Sequence, residues 1–192
     1  MADKRSQRLR ALAARRNLPA TCREAYSQQI CQHLADLPEM RGVRTILAYA
    51  ASEDEADVSA FCRRAAEQGV RVAYPVSYPG GRMEARVPLD AESWERGRFG
   101  LLQPRTDRSA LLAPEETDAV LIPCVAFDSA CRRLGHGAGY YDRYLPQCRR
   151  ARRIAVAFEA QKLAAVSVDD HDVPMQLVVT EQGVYRPAEP QG

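Results

Sequence analysis

An unbroken apolar run limits the folds open to this chain. The segment DAVLIPCVAF, residues 118–127, has one charged residue at its start and is otherwise apolar or proline. A strand with one face in water alternates apolar and polar residues, whereas a strand that is apolar on both faces must be covered on both faces. The run therefore predicts a central strand that lies between two other layers.

Segments around this run alternate between strand and helix patterns. An apolar run at 44–50 is followed by a helical pattern at 57–68 that stops at Gly69, and then by a second strand pattern at 70–75. Such a unit usually forms two parallel strands joined by a crossover helix. Further helices are expected at 3–16 and 20–36, and further strands at 82–87, 153–158 and 176–180.

These elements predict an α/β fold, with a single three-layer domain at 1–186 built on a mainly parallel sheet flanked by helices. A flexible C-terminal tail is expected at 187–192. The helix at 20–36 is expected to begin with a capping box made by Thr21 and Glu24. Ligands of such sheets bind beyond the carboxyl ends of the strands, which is where the chain runs after residue 127.

Composition and charge exclude several classes of protein. A length of 192 residues with 46% hydrophobic residues suits one globular domain. The sequence holds neither a run of roughly 20 apolar residues nor a secretory signal, so we expect a cytoplasmic protein with no membrane partner. Six cysteines form no CxxC pair, which argues against zinc, redox and disulfide sites. A net charge of +2 requires no nucleic acid, although basic residues cluster within the first 23 positions.

The string RLGHGAGYYDRY at 133–144 is the strongest candidate for a functional site. Alternating glycines let main-chain N–H groups converge on an anion, and a helix that starts at Tyr140 and is shortened by Pro146 would add its N-terminal charge. Asp142 in the first turn could then hold Mg²⁺. The spacing fits neither a P-loop nor a dinucleotide-binding fingerprint. A tight structural loop remains about as favoured as a phosphate site from the glycine spacing alone.

Several strings together resemble the 5-formyltetrahydrofolate cyclo-ligase family, also called the 5,10-methenyltetrahydrofolate synthetases. RLGHGAGYYDRYL is similar to the family signature RLGxGxGYYDxxL, and KRSQR at 4–8 to its K-x-x-x-R on the first helix. IPCVAFD, YAASEDEAD and HDVPMQLVVTE resemble three further family segments, in the right order along the chain.

The resemblance implies an enzyme that uses ATP and Mg²⁺ to cyclise 5-formyltetrahydrofolate, with or without a polyglutamate tail, to 5,10-methenyltetrahydrofolate, ADP and phosphate. It implies no nucleic-acid or membrane partner, and a monomer or weak dimer. The implied catalytic residues are Tyr140 and Arg133, and the implied metal ligand is Asp142. The implied ATP-binding residues are Lys4, Arg8, Arg133, Leu134, Gly135, His136, Gly137, Ala138, Gly139, Tyr140 and Tyr141. The implied substrate-binding residues are Ala50, Glu55, Phe99 and Tyr140.

The sequence departs from the family pattern at four positions. His136 and Ala138 stand where many relatives have Arg or Lys, and Phe99 replaces an expected tryptophan. Gln176 stands where the resemblance implies a second metal-binding aspartate, which leaves Asp142 as the only metal ligand that can be carried over. Tyr140 and Tyr141, about 100° apart on a helix, are expected to face different partners.

Two other functions stay open at the level of sequence. A module that binds folate without turnover would explain the departures at His136, Ala138 and Gln176. A nucleic-acid-binding protein would explain the arginine-rich first helix, although the modest net charge and the lack of interleaved aromatic residues argue against it.

Overall fold

An eight-stranded sheet forms the centre of the fold in the computed structural model, which describes residues 3–188 except for the side chain of Phe99. The strands of this sheet are β1 (Thr45–Leu47), β2 (Arg71–Ser77), β3 (Met83–Pro88), β6 (Ser109–Leu112), β7 (Ala119–Pro123), β10 (Arg152–Val156), β11 (Leu177–Thr180) and β12 (Gly183–Tyr185). Two small hairpins pair β4 (Trp94–Arg96) with β5 (Leu102–Pro104) and β8 (Ala126–Phe127) with β9 (Arg133–Leu134). The α-helices are α1 (Lys4–Arg16), α2 (Ala20–Asp36), α3 (Ser59–Glu67) and α4 (Tyr140–Tyr144).

The strand order is β12-β11-β10-β7-β1-β2-β3-β6. The five strands from β11 to β2 pair in parallel, and antiparallel pairs form only at the two sides of the sheet. Helix α3 connects the parallel strands β1 and β2, as the pattern at 44–75 predicts. The predicted α/β fold with a mainly parallel sheet flanked by helices is confirmed. Within 3–188, no helix has the length and hydropathy to cross a bilayer.

The central strands are buried on both faces. In β1, Ile46 packs into a cluster with residues of α2 and α3, and the next residue, Leu47, packs into a second cluster with Tyr144 and Leu145. Alternate residues of a strand point to opposite faces, so both layers are needed to bury this strand. The second face is covered by the short helix α4 and irregular chain rather than by a long helix.

The predicted continuous strand at 118–127 is wrong in one respect. Strand β7 ends at Pro123, and the chain leaves the main sheet before β8 pairs with β9. The N–H of Val125 donates to the carbonyl of Leu134 at 2.8 Å, outside the sheet. Residues 124–127 stay buried on their new path, so their apolar character gives no sign of the break.

The predicted capping box of α2 is also wrong. The helix starts at Ala20, its N-cap is Pro19, and no side chain caps it. Thr21 therefore lies inside the first turn, two residues past the N-cap position from which it could cap. Of the predicted tail at 187–192, residues 189–192 lie outside the described part of the chain.

The six cysteines are free thiols with unequal access. Cys22 is half-buried and the other five are buried. Burial raises the pKa of Cys62 and of Cys124 to about 12, which suppresses the reactive thiolate. We expect a thiol reagent at pH 8 to label about one cysteine rapidly in the native protein and all six after denaturation. Rapid native labelling of several thiols would contradict this packing.

Candidate active site

A cavity of about 810 Å³ opens at the carboxyl ends of the parallel strands. Tyr49 and Ala50 follow β1, Ser77 ends β2 and Pro123 ends β7, and all four line the cavity. This is the side of the sheet where the topology predicts a ligand. The cavity is also lined by Lys4, Arg8, Glu55, Arg133, Leu134, Gly135, His136, Gly137, Ala138, Gly139, Tyr140, Tyr141 and Asp142.

Residues 135–139, here called the glycine loop, form one wall of this cavity. The β8–β9 hairpin leads into the loop, and the buried Asp128 shapes the hairpin turn by accepting from the N–H groups of Ala130 and Arg132 at 3.0 and 3.1 Å. Gly137 and Gly139 have φ values of 97° and 68°, in the region that favours glycine. The helix that follows, α4, has only five residues. The partial positive charge that the helix dipole was predicted to add at the N-terminus of α4 is therefore weak.

Each glycine of the loop lies close to a different arginine. A Cβ atom at these positions would stand 3.0, 3.4 and 2.9 Å from the nearest guanidinium atoms, in the pairs Gly135 with Arg133, Gly137 with Arg8 and Gly139 with Arg143. The absence of side chains thus lets three cations approach one stretch of main chain. Such an arrangement suits an anionic ligand better than a loop that serves only to turn the chain.

Helix α1 is docked directly on the glycine loop. The Nε of Arg8 donates to the carbonyl of Gly135 at 2.8 Å, and Lys4 Nζ lies 2.7 Å from Asp169 and 2.5 Å from Asp172. The side chain of Gln7 fixes the helix from the same side, since it donates to the carbonyl of residue 165 and accepts from the N–H of residue 167. The two predicted N-terminal cations and the glycine loop therefore share one cavity, although they are about 130 residues apart in sequence.

Glu55 is a nearly buried carboxylate in the same cavity, where it contacts His136 of the glycine loop. Its side chain is 10% exposed, and its Oε2 accepts from the N–H of Ser52 at 3.0 Å. Burial raises the pKa of this carboxyl, but the contact with His136 at 3.5 Å, the Ser52 N–H and the charge of Arg15 outweigh burial and hold the pKa below its ordinary value. Glu55 is therefore ionised at neutral pH and can accept hydrogen bonds from a ligand.

Tyr140 and Tyr141 of α4 contact different partners, as their helical spacing predicts. The hydroxyl of Tyr140 donates to the carbonyl of Tyr78 at 3.0 Å, which ties α4 to the chain just after β2. The Tyr141 ring centroid lies 5.8 Å from the guanidinium carbon of Arg133. Burial raises the pKa of the Tyr141 phenol, and its hydroxyl has no hydrogen-bond partner within the described residues.

Arg133 and Asp142 form an ion pair beneath the glycine loop. Arg133 Nη2 lies 3.1 Å from Asp142 Oδ1, and the two side chains are 5% and 20% exposed. Arg133 Nη1 also donates to the carbonyl of Pro123 at 3.4 Å. The neighbouring Leu134 is 2% exposed and packs in the core, so only its main chain can serve a ligand.

Besides Glu55 and Asp142, the cavity contains an acidic cluster that the sequence analysis did not identify. Asp169, His171 and Asp172 offer ligand atoms that lie within 4.8 Å of one another, and Lys4 is paired with both aspartates. The N–H of Val173 donates to Asp142 Oδ1 at 3.4 Å, so this segment runs directly against the predicted metal ligand. The string DDHD at 169–172 is the signal that could have identified it.

Gln176 does not line this cavity. It precedes β11, and its Oε1 accepts from the N–H of Arg153 at 2.8 Å, near the amino end of β10. It lines a separate pocket of about 200 Å³ with Glu39 and Arg186. The inference that Gln176 replaces a metal ligand is therefore wrong. The predicted contact of Phe99 cannot be placed, because its side chain lies outside the described part of the structure.

Comparison with known proteins gives consistent results along the whole chain. The model of the 5-formyltetrahydrofolate cyclo-ligase family matches residues 1–181. The 5-formyltetrahydrofolate cyclo-ligase of Mycolicibacterium smegmatis is 32% identical over 187 residues, which cover 93% of each chain. The cyclo-ligase of Escherichia coli K12 is 26% identical over 175 residues, which cover 89% of this chain and 96% of the relative.

Two solved structures are similar in fold as well as in sequence. The NMR structure of Aquifex aeolicus 5,10-methenyltetrahydrofolate synthetase has a TM-score of 0.85 at 26% identity and covers 98% of this chain and 95% of its own. The Mycoplasma pneumoniae 5,10-methenyltetrahydrofolate synthetase has a TM-score of 0.76 at 28% identity, with 94% and 99% covered. The family match, the relatives and the fold agree, and the chain belongs to the 5-formyltetrahydrofolate cyclo-ligase family, a family of ligases.

Proposed function

We propose that this protein catalyses the ATP- and Mg²⁺-dependent closure of 5-formyltetrahydrofolate to 5,10-methenyltetrahydrofolate, with release of ADP and phosphate. One observation carries the proposal beyond family membership. Helix α1 brings Arg8 to the glycine loop through a 2.8 Å hydrogen bond, so cations near the N-terminus and the main chain of residues 135–139 face one cavity. That combination suits a polyphosphate.

The phosphate side of the site consists of the glycine loop and the cations around it. Main-chain N–H groups of residues 135–139 would bind phosphate oxygens, and Arg8 would neutralise their charge. Lys4 would turn from its aspartate partners to the nucleotide, a movement within reach of its flexible side chain. Arg133 is too buried to move far, so its role in this proposal is to stabilise charge from beneath the loop.

The folate side of the site consists of Glu55 and the surfaces near it. The carboxylate would accept from the amino group and a ring N–H of the pterin, the kind of paired donor that a carboxylate binds well. Ala50 lines the same cavity with a small side chain that leaves room for a ligand, and the ring of Tyr140 offers an aromatic surface. Because the Tyr140 hydroxyl already donates to Tyr78, we assign catalysis here to ring placement rather than to proton transfer from that hydroxyl.

The carboxylates fit the proposed metal. Asp142 and Asp172 both line the cavity, and each has one side-chain oxygen paired with a cation, Arg133 and Lys4 respectively. Hard carboxylate oxygens are the ligands that Mg²⁺ prefers, together with phosphate oxygens and water. We propose that Asp142 holds Mg²⁺ and that Asp172 supports it. The ion would supply neutralisation of charge on the phosphates during transfer.

The reaction requires alignment more than covalent work by the protein. The formyl oxygen attacks the γ-phosphorus, the bond to the bridging oxygen breaks, and ADP leaves. The neighbouring nitrogen of the folate then attacks the activated carbon, loses its proton, and phosphate departs with the former formyl oxygen. The site therefore needs to hold the two substrates in line and to keep water away, which is the usual basis of phosphoryl transfer.

A direct assay tests the proposal. Purified protein mixed with 5-formyltetrahydrofolate and Mg-ATP should produce the absorbance of the methenyl product and one ADP per product. Binding of both substrates without product or ADP would instead support a folate-binding module without turnover. The same preparation examined by sedimentation tests the proposed monomer or weak dimer, and a series of tail lengths tests the use of polyglutamylated substrate.

Replacement of Gln176 by Asp tests the corrected metal assignment. Because Gln176 lies near the amino end of β10, away from the cavity, we expect kcat and the Mg²⁺ concentration for half-maximal rate to stay within about 2-fold of the wild type. The measurement is initial rate against Mg²⁺ at saturating ATP and folate. A marked gain in Mg²⁺ affinity would show that position 176 does belong to the metal site.

A further inference from the structure

We propose that Arg15 is a positioning residue of the folate side, which fixes the orientation of the Glu55 carboxylate for paired N–H donors of the substrate; this rests on the function proposed above. Arg15 lies on α1, lines the cavity, and its side chain is only 3% exposed. Its Nε and Nη2 hold the carboxylate of Asp54 at 3.3 and 3.0 Å. Asp54 thus anchors the guanidinium plane from one side.

The third nitrogen of Arg15 is the unusual feature. Nη1 is buried and has no hydrogen-bond partner within the described residues, and it lies 3.7 Å from Glu55 Oε1. Buried donors without partners are rare because they lose water and gain nothing in return. A shift of less than about 1 Å would bring Nη1 within hydrogen-bond distance of Glu55. The nitrogen is therefore placed to bind Glu55 when a ligand orders this side of the cavity.

The acceptor sites of Glu55 indicate why this contact matters. An ionised carboxylate has about four acceptor positions on its two oxygens. The Ser52 N–H uses one position on Oε2, and both Arg15 Nη1 and His136 Nε2 approach Oε1, at 3.7 and 3.5 Å. The Ser52 N–H on Oε2 and Arg15 on Oε1 would fix the carboxylate plane. One further position on each oxygen is then open to the ligand once the His136 side chain, which is 56% exposed, turns away from Oε1. Two neighbouring N–H groups of a flat heterocycle would fit that pair of positions.

Arg15 also links the two halves of the site through one helix. Residues 4, 8 and 15 of α1 lie within about 40° of one another around the helix axis, because four residues make about 40° more than one turn and eleven residues just over three turns. The face that carries Lys4 and Arg8 towards the glycine loop therefore carries Arg15 towards Glu55. A rigid helix holds the phosphate cations and the folate carboxylate in a fixed relation.

Separate binding measurements on the two substrates test this inference. The probes are 5-formyltetrahydrofolate without nucleotide, and the Mg complex of a non-hydrolysable ATP analogue, each titrated calorimetrically. Arg15→Gln should weaken folate binding by about 10-fold or more and change analogue binding less than 2-fold. Arg15→Lys, which keeps the charge but cannot hold both carboxylates, should be intermediate. Arg10→Gln, an exposed arginine on the same helix, is the matched control and should bind both ligands like the wild type.

Each alternative outcome is decisive. Wild-type folate affinity in Arg15→Gln overturns the inference, and so does an equal loss for both ligands, because a displaced helix would weaken both. If Arg15→Gln does not fold, the test rests on Arg15→Lys. Wild-type folate affinity in Arg15→Lys then overturns the inference. If the wild-type protein does not bind 5-formyltetrahydrofolate, the proposed function itself is wrong, which is a different outcome from failure of the inference about Arg15.

Discussion

Replacing Asp142 with asparagine is expected to lower kcat by about 10²-fold or more while the protein stays folded. The side chain lines the same cavity as Asp172, and in the proposed function it supplies the carboxylate charge that holds Mg²⁺ on the nucleotide. Asparagine keeps the shape and the oxygen but loses that charge. The measurement is the initial rate of methenyl product formation at saturating substrates across a Mg²⁺ series.

The same substitution should also reduce stability more than an exposed helix residue would. Asp142 pairs at 3.1 Å with Arg133, whose side chain is 5% exposed, so the change leaves a buried cation without its counter-charge. Loss of one partner of a fully buried pair costs about 3–5 kcal/mol, and the 20% exposure of Asp142 reduces this to about 1–3 kcal/mol. For a chain of this size the expected fall in Tm is about 2–12 °C.

A nearby acid provides the control for both effects. Asp170 is exposed and belongs to the same acidic string as Asp172, but it does not line the cavity. Asp170→Asn removes the same charge and should leave both kcat and Tm close to the wild type. Full activity in Asp142→Asn would show that the metal is held without this carboxylate. An unchanged Tm would show that Arg133 finds another partner.

The parallel centre of the sheet could be predicted because its signals are local, whereas β6 and β12 at the two edges were not predicted. The apolar residues of 44–50 and 153–158 reveal strands buried on both faces, and Gly69 marks the end of the crossover helix. The exit of the chain at Pro123 could not be predicted in the same way. Residues 124–127 are as buried after the exit as a strand would be, so hydrophobic pattern alone does not separate the two paths.

The site was predictable only in part, because its contacts join distant segments. Glycine spacing identified the glycine loop, whereas Lys4 and Arg8 were predicted only through the family resemblance. The pairing of Lys4 with Asp169 and Asp172 spans more than 160 residues and leaves no periodic trace in the sequence. Arg15 was hidden for another reason: an arginine in a basic helix is normally solvated, and only its burial between two carboxylates distinguishes it from its neighbours.

The glycine loop itself can be tested by a change that adds a single methyl group. Gly137 has a φ of 97°, and an added Cβ would lie 3.4 Å from the guanidinium of Arg8, on the surface where we place the phosphates. An alanine there would hold the phosphates away from the main-chain N–H groups and displace Arg8. Loss of one such donor in a charge-stabilising site typically costs about 10²–10³ in rate.

Gly137→Ala is therefore expected to lower kcat/KM for ATP by about 10²-fold, with folate binding in the absence of nucleotide unchanged. Gly42 separates this effect from backbone strain, since it has a φ of 74°, is exposed, and has nothing within 4 Å of an added Cβ. Both alanine variants should lose about 1 kcal/mol of stability, because both force an L-residue into the left-handed region. Only Gly137→Ala should lose ATP use. If the two variants turned over ATP equally well, the glycine loop would not bind phosphate and would serve only as a turn. Lys4 and Arg8 of α1 would then need a role other than phosphate binding.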